Sequence, residues 1–178
     1  MSKNLYYSLF LILITFFWGV TFPLIKVSLE YLSPMPFLAL RFAVSSLIIL
    51  PFAVRNKQFR DRKTIIYGLW AGFYLMLGYV FQTIGLMYTS AASSGLITGL
   101  YVVILPLISI VYLRVRVSRI IIVSSIVAFT GLIIMSTGAF YGASALFGDS
   151  LTIICAFAYA VNLHIFQSTQ QAWTAMCS

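Results

Sequence analysis

The sequence has 178 residues, of which 62% are hydrophobic and 8% are charged, and its mean hydropathy is +1.04. These values exclude a soluble globular domain, because a surface with so few charges could not be solvated. The net charge of +8 does not indicate a nucleic-acid partner, since the basic residues form short clusters between long apolar runs. Loops facing an anionic lipid bilayer have this pattern.

Six apolar stretches meet or approach the length that crosses a membrane. A helix needs about 20 apolar residues to span a hydrocarbon core of roughly 30 Å with its backbone groups paired internally. The predicted helices are Leu5 to Val27, Pro36 to Val54, Thr64 to Met87, Ala91 to Leu113, Ile120 to Ser136 and Leu151 to Gln167. The first has no small-residue cleavage site, so we interpret it as a retained helix. The sequence therefore predicts an all-α, polytopic membrane helix bundle.

The connections between these helices differ in charge. Lys3 and two basic segments, RNKQFRDRK (Arg55 to Lys63) and RVRVSR (Arg114 to Arg119), contain nine of the eleven basic residues. All nine fall on one side if six helices alternate. The positive-inside rule makes that side cytoplasmic. We therefore expect a multi-pass protein of the cell inner (plasma) membrane with both termini in the cytoplasm.

Two basic residues, Lys26 and Arg41, lie inside predicted helices near the opposite side. One interpretation is that their long side chains extend to the outer lipid headgroups. The other is that one of them lies on an aqueous cleft, where it pairs with a substrate carboxylate or with Glu30. The sequence leaves both interpretations open.

Three predicted helices have a semi-polar face. The faces consist of Tyr67, Ala71, Tyr74, Gly78 and Gln82 in the third helix, Ser94, Thr98 and Tyr101 in the fourth, and Cys155, Tyr159 and Asn162 in the sixth. Amides and phenols are costly in hydrocarbon unless paired, so these faces should meet other helices or a shared cavity. Glycines of the third helix, among them Gly78 and Gly85, predict close helix contacts.

Catalytic chemistry is not indicated. The three acidic residues, Glu30, Asp61 and Asp149, lie in or beside predicted loops, so no paired carboxylates are expected within the membrane. His164 is the only histidine, and the two cysteines have no metal-ligand spacing. We expect no enzyme activity, no catalytic residue, no cofactor and no metal site.

Longer strings resemble a known family. FFWGVTFPLIKVSLEYLSPMPFLALRF (residues 16–42), GYVFQTIGLMYTSAASSGLITGLYVVILPLISI (78–110) and GDSLTIICAFAYAVNLHIF (148–166) resemble EamA-type transporters of the drug/metabolite transporter superfamily. The resemblance implies ten helices in two inverted five-helix repeats with a solute site between them. On this basis residues 5–137 would form the first five-helix repeat, and residues 148–168 would form the first helix of a second, incomplete repeat.

The family resemblance implies a transporter for a small organic solute such as an amino acid or another metabolite, exported by alternating access. The expected substrate-binding residues are Trp18, Thr21, Tyr74, Gln82, Thr98, Tyr101 and Asn162.

Two features depart from the family pattern. Arg116 stands where relatives usually have an acidic residue, and the tail at residues 169–178 does not resemble the family, as if the chain were truncated about four helices early. A second chain would then be needed to complete the bundle. The alternative hypothesis is a truncated, non-transporting membrane fragment or accessory subunit.

Overall fold

A computed structural model of the protein describes residues 3–55, 61–113, 119–136 and 142–177. These residues are almost entirely helical, and they contain no β-strand. The helices are α1 (Lys3–Ser28), α2 (Pro34–Arg55), α3 (Arg62–Tyr88), α4 (Ala91–Thr98), α5 (Tyr101–Leu113), α6 (Arg119–Ser136) and α7 (Gly142–Cys177). The predicted all-α membrane helix bundle is therefore confirmed.

Four helices are long and apolar enough to cross a membrane. These segments are Leu5–Ser28, Pro34–Arg55, Thr64–Tyr88 and Ser144–Gln167, and a shorter apolar stretch covers Ala91–Pro106. The first three begin and end within two residues of the predicted helices, because apolar length alone fixes such helices in lipid. The two basic segments lie mostly outside the described residues, at residues 56–60 and 114–118.

The predicted fourth helix is divided into α4 and α5. At the division, the Leu100 amide donates to the Ile97 carbonyl at 3.0 Å, and the Val103 amide donates to the Leu100 carbonyl at 2.9 Å. These bonds span three residues instead of four, so the backbone is locally wound more tightly than an α-helix. Gly99 stands at this point, and glycine is a poor helix former.

The sixth predicted helix is much longer than expected. Helix α7 begins at Gly142 and continues to Cys177, so it includes residues 169–177 of the tail. Asp149 consequently lies inside the helix and is buried, whereas the sequence placed it in or beside a loop. Residues 143–147 (ASALF) are mostly apolar and compatible with a helix, which explains the extension.

Helices α3 and α7 form the most extensive contact of the bundle, and they are antiparallel. Gly85 faces Gly148, Gly78 faces Tyr159, and the Ala71 carbonyl accepts a hydrogen bond from Asn162. Because Gly78 and Gly85 have no side chain, the two backbones approach closely, as they do at small residues in membrane bundles. The close contacts predicted for these two glycines are therefore present.

Helix α1 packs against α4 and against the end of α3. The ring of Phe22 lies 3.7 Å from the position that a Cβ atom on Gly95 would occupy. Phe22, Ile25 and Leu86 form a small apolar core beside this contact. The C-terminal ends of α1 and α3 thus lie together with the N-terminal end of α4, as alternating membrane crossings require.

Candidate functional site

A buried polar cluster joins α3, α4 and α7. The side chain of Gln82 is only 3% exposed, and its amide nitrogen donates to the Thr98 hydroxyl at 3.1 Å. Its amide oxygen accepts a longer hydrogen bond of 3.4 Å from the Tyr159 hydroxyl. Both ends of the amide therefore have partners, which lowers the cost of placing it in an apolar bundle. We call Gln82, Thr98 and Tyr159 the central cluster.

The orientation of this cluster follows from Thr98. Its hydroxyl donates to the Ser94 carbonyl within α4 at 2.7 Å, so only its lone pairs face Gln82. The Gln82 nitrogen must therefore point to Thr98, and its oxygen must point to Tyr159. Cys155 is fully buried beside the hydroxyls of Thr98 and Tyr159.

Aromatic rings surround the central cluster. The ring of Tyr159 lies edge-on to the rings of Tyr79 and Tyr101, with centroid separations of 5.6 and 6.5 Å. The ring of Tyr101 in turn lies 5.9 Å from that of Trp18. The contacts connect α1, α3, α5 and α7 within the apolar part of the bundle, and such edge-to-face pairs stabilise helix packing.

The structure brings only some of the predicted site residues together. Gln82 and Thr98 are in direct contact, and Trp18 and Tyr101 are joined through their rings. Asn162 lies further along the α3–α7 contact, where its amide donates to the Ala71 carbonyl at 2.7 Å.

Two predicted residues lie apart from the central cluster. Thr21 donates to the Trp18 carbonyl of its own helix. The ring of Tyr74 lies against Trp70 and Phe73 on the same helix, α3. Neither makes a described contact with Gln82, Thr98 or Tyr159.

Tyr159, which the list of predicted site residues omits, is the residue that connects the cluster. It lies on the semi-polar face of α7 together with Asn162, so its position on the helix was available from the sequence. Its contact with Gln82 could not be predicted, because the Tyr159 ring fits against α3 only where Gly78 has no side chain.

A second polar group ties the ends of α3, α4 and α7 together. Asp149 is 5% exposed, and its carboxylate accepts hydrogen bonds from the Thr89 hydroxyl at 2.6 Å and from the Ser93 hydroxyl at 2.9 Å. Contrary to the sequence-based expectation, one carboxylate is therefore buried inside the bundle. Its two hydroxyl donors compensate part of the cost of burying the charge.

Lys26 completes this end of the bundle. Its ammonium group donates to the carbonyls of Met87 and Thr89 at 3.2 and 2.8 Å, and also to that of Leu86. Carbonyl groups at the end of a helix lack partners within the helix, and a cation satisfies them well. Lys26 therefore caps the C-terminal end of α3, and Glu30 is close enough to interact with it electrostatically.

A cavity lies between α1 and α4 beside the central cluster. Its volume is about 440 Å³, and its walls include Trp18, Phe22, Gly95 and Thr98. The walls are mostly apolar, as in typical small-molecule sites, and Thr98 supplies a polar group. No group of His, Cys, Asp and Glu in the described part of the chain could hold a metal ion.

The chain is similar to known transporters. Residues 5–137 match the EamA-like transporter family. A protein of Archaeoglobus fulgidus named an uncharacterized transporter is 36% identical over 162 residues, which cover 90% of this chain and 49% of that protein. Uncharacterized transporter YvbV of Bacillus subtilis is 27% identical over 164 residues, 91% of this chain and 54% of that protein.

The chain spans about half the length of the curated relatives it matches. No solved structure matches it. The family match confirms the resemblance seen in the strings around Trp18, Gln82 and Thr98, and the apolar helices agree with it. The chain is therefore a multi-pass membrane protein that belongs to the EamA-like transporter family.

Proposed function

We propose that this chain forms part of a transporter that exports a small organic solute, such as an amino acid or another metabolite, by alternating access. The observation that carries the proposal is the central cluster, in which polar groups from three helices meet inside an apolar bundle. Family membership supports transport in general, and the cluster supports a site for a polar solute.

The central cluster has two properties that suit reversible binding. Its Tyr159–Gln82 hydrogen bond is long, at 3.4 Å, so a solute group could replace the phenol as partner of the amide at small cost. Thr98 lies at the end of α4, directly before the break in the fourth segment. Broken helices at solute sites are typical of secondary transporters, because unwound backbone offers groups that regular helices do not.

In this proposal the solute contacts Gln82, Thr98, Tyr101 and Trp18, with Tyr159 as an additional partner. The cavity of about 440 Å³ beside Trp18 and Thr98 would admit a metabolite-sized molecule. Asn162, Tyr74 and Thr21 would act at other points along the solute's path.

The proposal also includes the setting of the site. The plasma membrane is the expected location, with both termini in the cytoplasm on the side of the basic segments. A second five-helix unit of inverted orientation, from a second chain or from further sequence, would form the other wall of the site, because the relatives are about twice as long.

Solute flux in reconstituted vesicles tests the proposal. Vesicles containing the protein would be loaded with labelled leucine, phenylalanine, glutamate and pyruvate, and efflux would be followed. We expect efflux of at least one probe, and a decrease of about tenfold or more in Gln82→Leu, because a buried polar partner is lost.

Gln167→Leu is the matched control, since Gln167 is exposed on α7 and lies outside the central cluster. Its flux should equal that of the unaltered protein. Correctly inserted protein that moves none of the four probes would overturn the proposal and favour a non-transporting fragment or accessory subunit.

A further inference from the structure

Arg41 is half-buried between α2 and α3, and its side chain lies over Tyr79. It is the eighth residue of α2, so it stands about 10 Å along the helix from Pro34. Its guanidinium carbon lies 4.4 Å from the ring centre of Tyr79. Tyr79 is itself about 13 Å from the end of α3 at Tyr88. The cation is therefore held at the depth of the candidate site, and the headgroup interpretation does not fit it.

The Arg41 guanidinium is incompletely paired. Its Nη1 atom is buried and has no hydrogen-bond partner among the described residues. Of the three acidic residues, Asp149 is engaged with Thr89 and Ser93, and Glu30 and Asp61 are exposed in or beside turns. A charged group inside a membrane is costly unless a counter-charge, a carbonyl group or water compensates it. The face of one tyrosine ring is weaker compensation than a carboxylate.

A cleft between α2 and α3 opens beside this cation. It has a volume of about 500 Å³, and the residues around its polar end are Arg41, Ser45, Ser46 and Tyr79. Apolar side chains, among them Leu50 and Leu75, form the rest. A small molecule with one anionic end and an apolar body would match this distribution of charge.

Tyr79 links the wall of the cleft to the central cluster. Tyr79 contacts Arg41 on one side and Tyr159 on the other, and Tyr159 donates to Gln82. An anion bound at Arg41 would therefore be separated from the central cluster by the ring of Tyr79.

We propose that Arg41 binds the carboxylate of the transported solute, so that the substrates are small monocarboxylates with an apolar body. This inference rests on the proposed transport function. A guanidinium binds oxyanions through paired hydrogen bonds, and both a carboxylate and a lipid phosphate have this chemistry. We assign the carboxylate, because headgroup phosphates lie beyond the helix ends, about 10 Å from Arg41.

Binding to the purified protein in detergent tests the assignment without requiring transport. The probes are benzoate and hexanoate, each compared with its uncharged amide, benzamide or hexanamide, and binding is followed by thermal unfolding and by titration. We expect both carboxylates to raise the unfolding temperature and both amides to have no effect. In Arg41→Gln the affinity for the carboxylates should fall about tenfold or more.

Two further variants keep this test interpretable. Arg62→Gln removes an exposed arginine at the start of α3 and should bind like the unaltered protein. Arg41→Lys keeps the charge without the paired donors, so it should still prefer carboxylates over amides but bind them more weakly. It also provides the comparison if Arg41→Gln does not fold.

Several results would overturn the assignment. Carboxylates and amides could bind equally well, or carboxylate binding could be unchanged in Arg41→Gln. Arg41→Gln could also change the unfolding temperature only in vesicles that contain phosphatidylglycerol, which would assign the site to lipid. Protein-dependent flux of an amide, above that of protein-free vesicles and as fast as that of its carboxylate, would overturn this inference but leave transport intact. Arg41-dependent carboxylate binding without any flux would contradict transport alone.

Discussion

Gly85 of α3 and Gly148 of α7 face each other across a close contact between the two helices. A Cβ atom on Gly85 would lie 2.7 Å from the Gly148 carbonyl oxygen, and one on Gly148 would lie 2.6 Å from the Gly85 carbonyl oxygen. Because both neighbours are backbone atoms, neither can move aside cheaply. The contact therefore fixes how α7 lies on α3, and with it the distance between Gln82 and Tyr159.

Gly85→Ala should consequently lower the stability of the bundle by about 1–3 kcal/mol, the usual cost of overpacking. Gly72→Ala is the matched control on the same helix, since a Cβ atom there has no neighbour within 4 Å. That change should be neutral or stabilising, because alanine favours helix. Thermal unfolding in detergent measures both variants. Equal unfolding temperatures for the two would show that α3 and α7 are not packed as described.

The buried carboxylate gives a second prediction. Asp149→Ala would leave the hydroxyls of Thr89 and Ser93 without their shared acceptor, at a cost of about 1–3 kcal/mol. Asp61→Ala provides a comparison, because Asp61 is exposed and caps α3 by accepting from the amide and the hydroxyl of Thr64. Its loss should cost about 1 kcal/mol. If Asp61→Ala lowers the unfolding temperature more than Asp149→Ala does, the buried network is not present.

The sequence predicted the first three helices and the placement of two central-cluster residues on semi-polar faces for identifiable reasons. Helix α3 was predictable because its apolar length leaves few alternatives in lipid. Gln82 and Thr98 were predictable because a buried amide needs a partner, and both lie on semi-polar faces. Thr21 and Tyr74 were not distinguished from them, because a threonine can donate to its own helix, and a tyrosine can pack on neighbouring rings of its own helix.

Other features depend on packing that no local pattern reveals. Asp149 was assigned to a loop because charged residues usually lie outside apolar segments, but two hydroxyls from α3 and α4 make its burial possible. Lys26 and Arg41 had the same two interpretations in the sequence. The structure separates them because only Lys26 reaches the free carbonyl groups at the end of α3.

The proposed orientation in the membrane gives a third prediction. Tyr31 is 82% exposed in the turn between α1 and α2, opposite to the basic segments. In a Cys177→Ser background, Tyr31→Cys should react with an impermeant thiol reagent added to intact cells, and Arg60→Cys and Arg116→Cys should react only after the cells are opened. Cys155 can remain, because it is fully buried. Labelling of Arg60→Cys and Arg116→Cys from opposite sides would contradict the alternation of six helices.

The hydrogen bond between Gln82 and Thr98 gives a fourth prediction. Thr98→Val should cost about 1–3 kcal/mol, because the buried Gln82 amide nitrogen would lose its partner. Gln82→Leu in the same protein should then cost less than it does alone, since it removes the amide nitrogen that Thr98→Val leaves without an acceptor. A double-mutant cycle measured by reversible unfolding should therefore give a coupling of about 0.5–3 kcal/mol between the two sites. Thr130→Val, at an exposed position of α6, should show no coupling with Gln82→Leu. Additive effects of Thr98→Val and Gln82→Leu would show that the two side chains are not hydrogen-bonded. That result would contradict the central cluster as described.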